Sequence, residues 1–140
     1  MNEHGYIRKV NAKLSSGIYK WKIHDSYCGG VPDCFYHDEE GGMGFVEYKY
    51  IQLPKRDLTI VDIGKLLSPL QHDWIRERAR CRIPVAVVVG CEVGGVFFEH
   101  NQITHAFTTA LFKDMCQSPE FIAAQIGAML HDNRSTFARR

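Results

Sequence analysis

The sequence predicts one α/β domain with a central mixed sheet, its elements running α-β-β-β-loop-α-β-β-α-α. Three observations predict it. Three β-rich segments, set off by glycines and an acidic turn, precede the first well-capped helix; that helix leads into an unbroken β-rich run, Val85-Ala86-Val87-Val88-Val89; and two segments of helical spacing close the chain. With 140 residues, 45% of them hydrophobic and 11% aromatic, the chain has the usual size of one domain and can bury a core. That composition excludes a disordered segment.

The elements follow in order. Residues 1–15 read as a short helix with Ile7, Val10 and Leu14 on one stripe, ended by Ser15-Ser16-Gly17. Gly17 to Ile23 has a strand composition. Gly29-Gly30 breaks the chain before a second short strand, Val31 to Tyr36, and Asp38-Glu39-Glu40-Gly41-Gly42 turns it into a third, Phe45 to Ile51. Residues 52–67, with Pro54, Lys55-Arg56-Asp57 and Gly64, read as a long excursion with room for a short helix. Ser68-Pro69 is a helix start, with Ser at the N-cap and Pro at the first helical position. Leu70, Trp74, Ile75 and Ala79 continue it at helical spacing until Pro84, while Arg76, Arg78 and Arg80 project around too much of the helix to share one face. The run from Val85 to Val89 reads as a strand covered on both sides, with Val96-Phe97-Phe98 as its partner. Ile103 to Met115 and Pro119 to Leu130 read as two helices, and Asp132 to Arg140 as a frayed tail.

The formal net charge is only +1, which argues against a protein that coats nucleic acid by bulk positive charge. By segment the picture changes: residues 1–22 carry +4, residues 23–48 carry six acids and no Lys or Arg, and residues 49–82 return to +4. An acidic centre between basic flanks suits a site that holds a cation and approaches a polyanion. Five cysteines without a secretory leader predict a reduced, cytoplasmic protein, and no apolar run approaches the roughly 20 residues that span a bilayer.

The sharpest chemical feature is Gly30-Val31-Pro32-Asp33, followed fourteen residues after Asp33 by Glu47 in Phe45-Val46-Glu47-Tyr48-Lys49. Strand side chains alternate, so Glu47 and Lys49 share one face while Val46, Tyr48 and Tyr50 take the other. A hairpin through residues 37–43 would bring Asp33 beside Glu47. Two carboxylates so close repel unless a cation lies between them or one is protonated. The functional reading is a Mg²⁺ site of the kind that hydrolyses phosphodiesters, with Lys49 near the attacking water or the developing charge. An isolated Glu-x-Lys triplet is more often an exposed strand face, with Asp33 a turn residue after Pro32.

The whole frame resembles a known family. Gly-Val-Pro-Asp on one strand, an acidic Gly-rich turn and Phe-Val-Glu-Tyr-Lys on the next look like the PD-(D/E)XK nuclease superfamily. The downstream Leu67-Ser68-Pro69-Leu70-Gln71, with its helix and hydrophobic strand, is similar to the L-S-x-x-Q pattern of VRR-type nucleases and archaeal-type Holliday junction resolvases. The resemblance covers residues 1–99 and implies a restriction-endonuclease-like αβββαβ core, followed by a helical extension over 100–140. It implies a Mg²⁺-dependent endodeoxyribonuclease, with Mn²⁺ able to substitute. Asp33, Glu47 and the Tyr48 backbone carbonyl would bind the metal, Lys49 would assist the water, and Gln71 would approach from the helix. The acid such nucleases often carry on the first helix corresponds to Glu3.

Tyr19, Lys20, Lys22, Lys55, Arg56 and Lys65 interleave cations with aromatic and apolar residues and are nominated as DNA contacts. A symmetric homodimer would let so small a core reach both strands of a duplex or junction. Other readings are a binding module with the nuclease fold but no turnover, and a homing or restriction-type endonuclease. Zinc held by His24, Cys28, Cys34 and His37 fits no common ligand spacing, and Cys81 and Cys91 read as small buried hydrophobes.

Overall fold

The computed structural model describes residues 1–24 and 29–138, the last five of these by backbone alone. Its elements are α1 (Glu3–Asn11), β1 (Tyr19–Lys22), β2 (Cys34–His37), β3 (Met43–Tyr50), β4 (Ile60–Asp62), α2 (Ile63–Leu66), α3 (Pro69–Arg80), β5 (Val85–Cys91), β6 (Gly94–Glu99), β7 (Ala106–Thr108), α4 (Thr109–Met115) and α5 (Pro119–Ala138), with a 3-10 turn at His100–Gln102. The main sheet has the order β1-β2-β3-β5-β6. Only β3 and β5 run parallel, and the other neighbours are antiparallel, so the sheet is mixed as expected.

The β3 to β5 connection carries α3 and returns to the strand beside its start, the crossover that a parallel pair requires. All seven residues of β5 are buried, which is why it reads as an apolar run without alternation. Its two faces belong to two cores. Val88 packs with Val46, Tyr48 and Tyr36 under α1 and α5. Val85, Val87 and Val89 pack with Ile75 of α3, Ile63 of α2 and Phe112 of α4. Among the described residues no helix is long and apolar enough to cross a membrane.

Several boundaries differ from the sequence reading. α1 stops at Asn11, although Leu14 beyond it is still buried. The second strand begins at Cys34, because Val31 and Pro32 form the approach that carries Asp33. The 52–67 excursion contains β4 as well as the short helix α2, and β4 pairs with β7 in a second, two-stranded sheet. The segment Ile103 to Met115 is therefore not one helix: it runs through β7, and Thr108 caps the shorter α4 by accepting from the Leu111 N–H. No frayed tail starts at Asp132, since α5 continues to Ala138 with neither Gly nor Pro to stop it. Residues 139–140 lie outside the described residues. Cys91 is buried as expected, and Cys81, at the C-cap of α3, is exposed instead.

Candidate active site

The site is built on the middle of the sheet. Cys34 of β2 pairs with Val46 of β3, so one step further along the same register sets Asp33 opposite Glu47. Asp33 is anchored by backbone: the Tyr48 N–H donates to its Oδ2 at 2.8 Å. On a strand, the N–H and C=O of one residue face the same neighbour, so the Tyr48 carbonyl is also directed to the side where Asp33 stands. The Tyr48 ring lies on the opposite face, fully buried, its hydroxyl 2.7 Å from that of Tyr36, which donates to Asn11 of α1. The backbone that holds Asp33 is thus fixed from beneath.

Glu47 is only 3% exposed. Its Oε1 accepts from Gln71 Nε2 at 2.9 Å and lies 3.8 Å from Lys49 Nζ. Its Oε2 is buried and accepts from no N–H donor, and the carboxyl lies within hydrogen-bond reach of that of Asp33. Burial raises the Glu47 carboxyl from 4.5 to about 9, and Asp33 is the next largest cause, against which Lys49 pulls it down. Glu3, in the first turn of α1, is brought to the same neighbourhood: burial and then Asp33 raise its carboxyl, while Lys49, Lys22 and His4 act the other way.

Gln71 is positioned by the start of α3. Its N–H donates to Ser68 Oγ and its Oε1 accepts from the Ser68 N–H, so the reciprocal cap uses one end of the amide and leaves Nε2 for Glu47. Gly30 makes room for this helix start. It sits at φ +84, and a Cβ there would collide with the Leu70 carbonyl and crowd the Gln71 nitrogen. Sequence reasoning treated Gly29-Gly30 as a simple chain break. The motif's position two residues before Pro32-Asp33 was the available signal.

The other nominated residues are spread around this centre. Lys20 and Lys22 pair with Tyr36 and Cys34, which puts them on the face opposite Glu47, and Lys22 Nζ lies 2.7 Å from His4 Nδ1. Tyr19 is half-exposed on Glu47's own face. Lys55, Arg56 and Lys65 are exposed on the 52–67 segment and its helix α2. The zinc set is not assembled: Cys34 is buried in the core under α1, His37 stacks on Tyr19 across the sheet, and Cys28 lies outside the described residues. A cavity of about 680 Å³ near the far edge of the sheet, against α5, includes none of Asp33, Glu47 or Lys49.

Among the described residues, no group of three or more His, Cys, Asp or Glu side chains is placed to hold a metal ion. A hard cation such as Mg²⁺ needs less from the protein, since one or two carboxylates with waters commonly suffice. The donors present fit that need: two carboxylates on adjacent strands, a backbone carbonyl on the same side, and a buried carboxylate oxygen with no N–H donor.

This sheet and its helices form a mixed α/β fold closed by a C-terminal helix. Among solved structures the chain is similar to Hjc, a Holliday junction resolvase from the archaeal hyperthermophile Archaeoglobus fulgidus, with a TM-score of 0.55 and 12% identity over 86% of this chain and 98% of that one. No family model and no curated protein matches the sequence. At this identity the likeness establishes the fold alone.

Proposed function

We propose that this chain is a Mg²⁺-dependent endodeoxyribonuclease that hydrolyses phosphodiester bonds in branched DNA. The observation that carries the reading is the buried carboxyl of Glu47, its Oε2 without an N–H donor, set directly against the carboxyl of Asp33. Burial and Asp33 hold the Glu47 carboxyl protonated near neutral pH, and a cation between the two groups is what would let both ionise.

Asp33, Glu47 and the Tyr48 carbonyl would hold the cation. When bound, it supplies Lewis acidity at the scissile phosphate and eases deprotonation of water. The chain's own groups do the rest. Lys49 offers its ammonium to the charge that develops on the phosphate oxygens, and its loose 3.8 Å approach to Glu47 leaves it free to turn toward substrate. Gln71 keeps Glu47 in one rotamer, and the Tyr48 N–H does the same for Asp33. Glu3 stands as an additional acid at the mouth of the site. Lys20, Lys22, Lys55, Arg56 and Lys65 contribute phosphate contacts from the flanks.

The likeness to a junction resolvase supports a branched substrate, and a homodimer would present two such sites to the two strands. The test is cleavage of supercoiled plasmid and of a synthetic four-way junction with Mg²⁺ or Mn²⁺, comparing wild type with Asp33→Ala, Glu47→Ala and Lys49→Ala. The expected result is loss of cutting by at least 100-fold for each, on the scale of removing one electrostatic catalytic group. Alanine variants that cut as well as wild type would overturn the assignment. Binding without product in either cation would favour a module that holds DNA and does not turn it over.

A further inference from the structure

The face of the sheet that carries Glu47 is covered by α3 only in part. Beyond α3 it continues as an open ladder of rings. Trp74 of α3 packs edge-on against Phe45 at 5.0 Å between centroids, Phe45 against Phe35 at 5.2 Å, Phe35 against Trp21 at 6.3 Å, and Tyr19 stacks on His37 at 4.8 Å. The outer members are exposed, Trp21 by 52% and Tyr19 by 53%. An exposed aromatic patch of this kind calls for an occupant.

Three features indicate what that occupant is. The shelf is aromatic, and flat rings presented on a sheet are the platform on which unpaired bases stack, since every base has a π-face. It is continuous with the candidate active site: Phe35–Phe45 is the next same-face pair after Asp33–Glu47, two residues or ~7 Å along the strands. A base resting there is one sugar-phosphate unit from the carboxylates. Finally, the charge around it suits a polyanion. The Arg78 guanidinium lies 4.5 Å over the Trp74 ring and Lys49 stands on the same face beside Glu47, whereas Lys20 and Lys22 of the edge strand lie on the opposite face.

We propose that this shelf stacks unpaired nucleobases of the DNA strand whose phosphate enters the Asp33–Glu47 site. The preferred substrate class is then DNA with unstacked bases at the cleavage point, as at a flap, bulge or open branch, and not uninterrupted duplex. The inference rests on the nuclease reading above and names the substrate of that same site.

Both tryptophans of the chain, Trp21 and Trp74, belong to the shelf, so intrinsic fluorescence reports on it directly. The experiment titrates the full chain carrying Asp33→Asn with oligo(dT), with an abasic strand of equal length, and with a blunt duplex of two complementary strands. The expected result is strong quenching by oligo(dT) and little by the other two. Trp21→Ala, added to this background, should weaken oligo(dT) binding by roughly 10-fold or more while Trp21→Phe largely retains it. The exposure of Trp21 makes both substitutions compatible with folding, and Tyr19→Ala gives an independent second variant.

Equal affinity for the abasic strand and oligo(dT), or Trp21→Ala binding that is unchanged, overturns the proposal. So does a Trp21→Ala variant that changes only the oligomeric state, since a second copy would then be what covers the shelf. Cleavage by the wild-type chain is read separately. Base-dependent quenching with no cleavage leaves the shelf standing and removes the nuclease reading, whereas cleavage without base dependence does the reverse.

Discussion

The protonation of Glu47 can be read as a stability slope. In an unfolded chain this carboxyl ionises near 4.5, and in the folded, metal-free protein only near 9, because burial and Asp33 disfavour its charge. Below about pH 4.5 both states hold the proton and the site costs nothing. Between the two values folding takes up a proton, so stability falls as pH rises, by up to about 1.4 kcal/mol per pH unit. From pH 6 to pH 8 this amounts to roughly 2.7 kcal/mol, or about 8 °C in Tm for a domain of this size. The assay is thermal unfolding in a chelator across that range, for wild type and Glu47→Gln. The amide can still accept from Gln71 but does not titrate, so the wild type should show the extra downward slope and the variant should lack it. Contributions from Glu3 are present in both proteins and drop out of the difference. Equal slopes would refute the reasoning, and with it the idea that Glu47 is held as an uncompensated acid.

Four other outcomes follow from the same geometry. Addition of Mg²⁺ at 100 times its Kd should stabilise the wild type by about 2.7 kcal/mol and leave Asp33→Asn and Glu47→Gln unmoved in the same melts; no shift in the wild type would count against a cation site. Gly30→Ala forces a Cβ into the Leu70 carbonyl at φ +84, so it should cost about 1–3 kcal/mol and lower cleavage by displacing Gln71. Ser68→Ala removes one half of the cap that holds Gln71, and a loss of about 1 kcal/mol in denaturant titration should be accompanied by reduced turnover. Arg82 ends α3 in the left-handed region at φ 61, where the Ile83 N–H reaches the Arg78 carbonyl. Arg82→Gly should therefore raise stability by about 1 kcal/mol without altering cleavage.

The carboxylate pair was legible because two local rules converge on it. Strand alternation orients Glu47 with Lys49, and the Gly-rich acidic turn at 38–42 leads β2 back alongside β3. The capped start of α3 was legible for the same reason, being written in Ser68-Pro69. What escaped was non-local. β4 and β7 are three residues each, too short for a period of two to show, and they pair across a long separation, Ile60 with Thr108. Ile103, Phe107 and Leu111 fall at helical spacing across a strand, so a single helix was the natural reading of that stretch. The Gln71 contact to Glu47 spans 24 residues and depends on the backbone of Gly30 approaching α3, which no propensity encodes. The aromatic shelf was written in the alternation Tyr19-x-Trp21 and Phe35-x-His37, but which face stays open is decided by how far α3 reaches across the sheet.

The helix α5 gives the molecule an order of assembly. Ile122, Ile126 and Leu130 are each fully buried in the core beneath Tyr48, the residue whose N–H anchors Asp33. A chain that has made both acidic strands still lacks the layer that buries Tyr48, so the support beneath Asp33 is completed by residues some ninety positions further along.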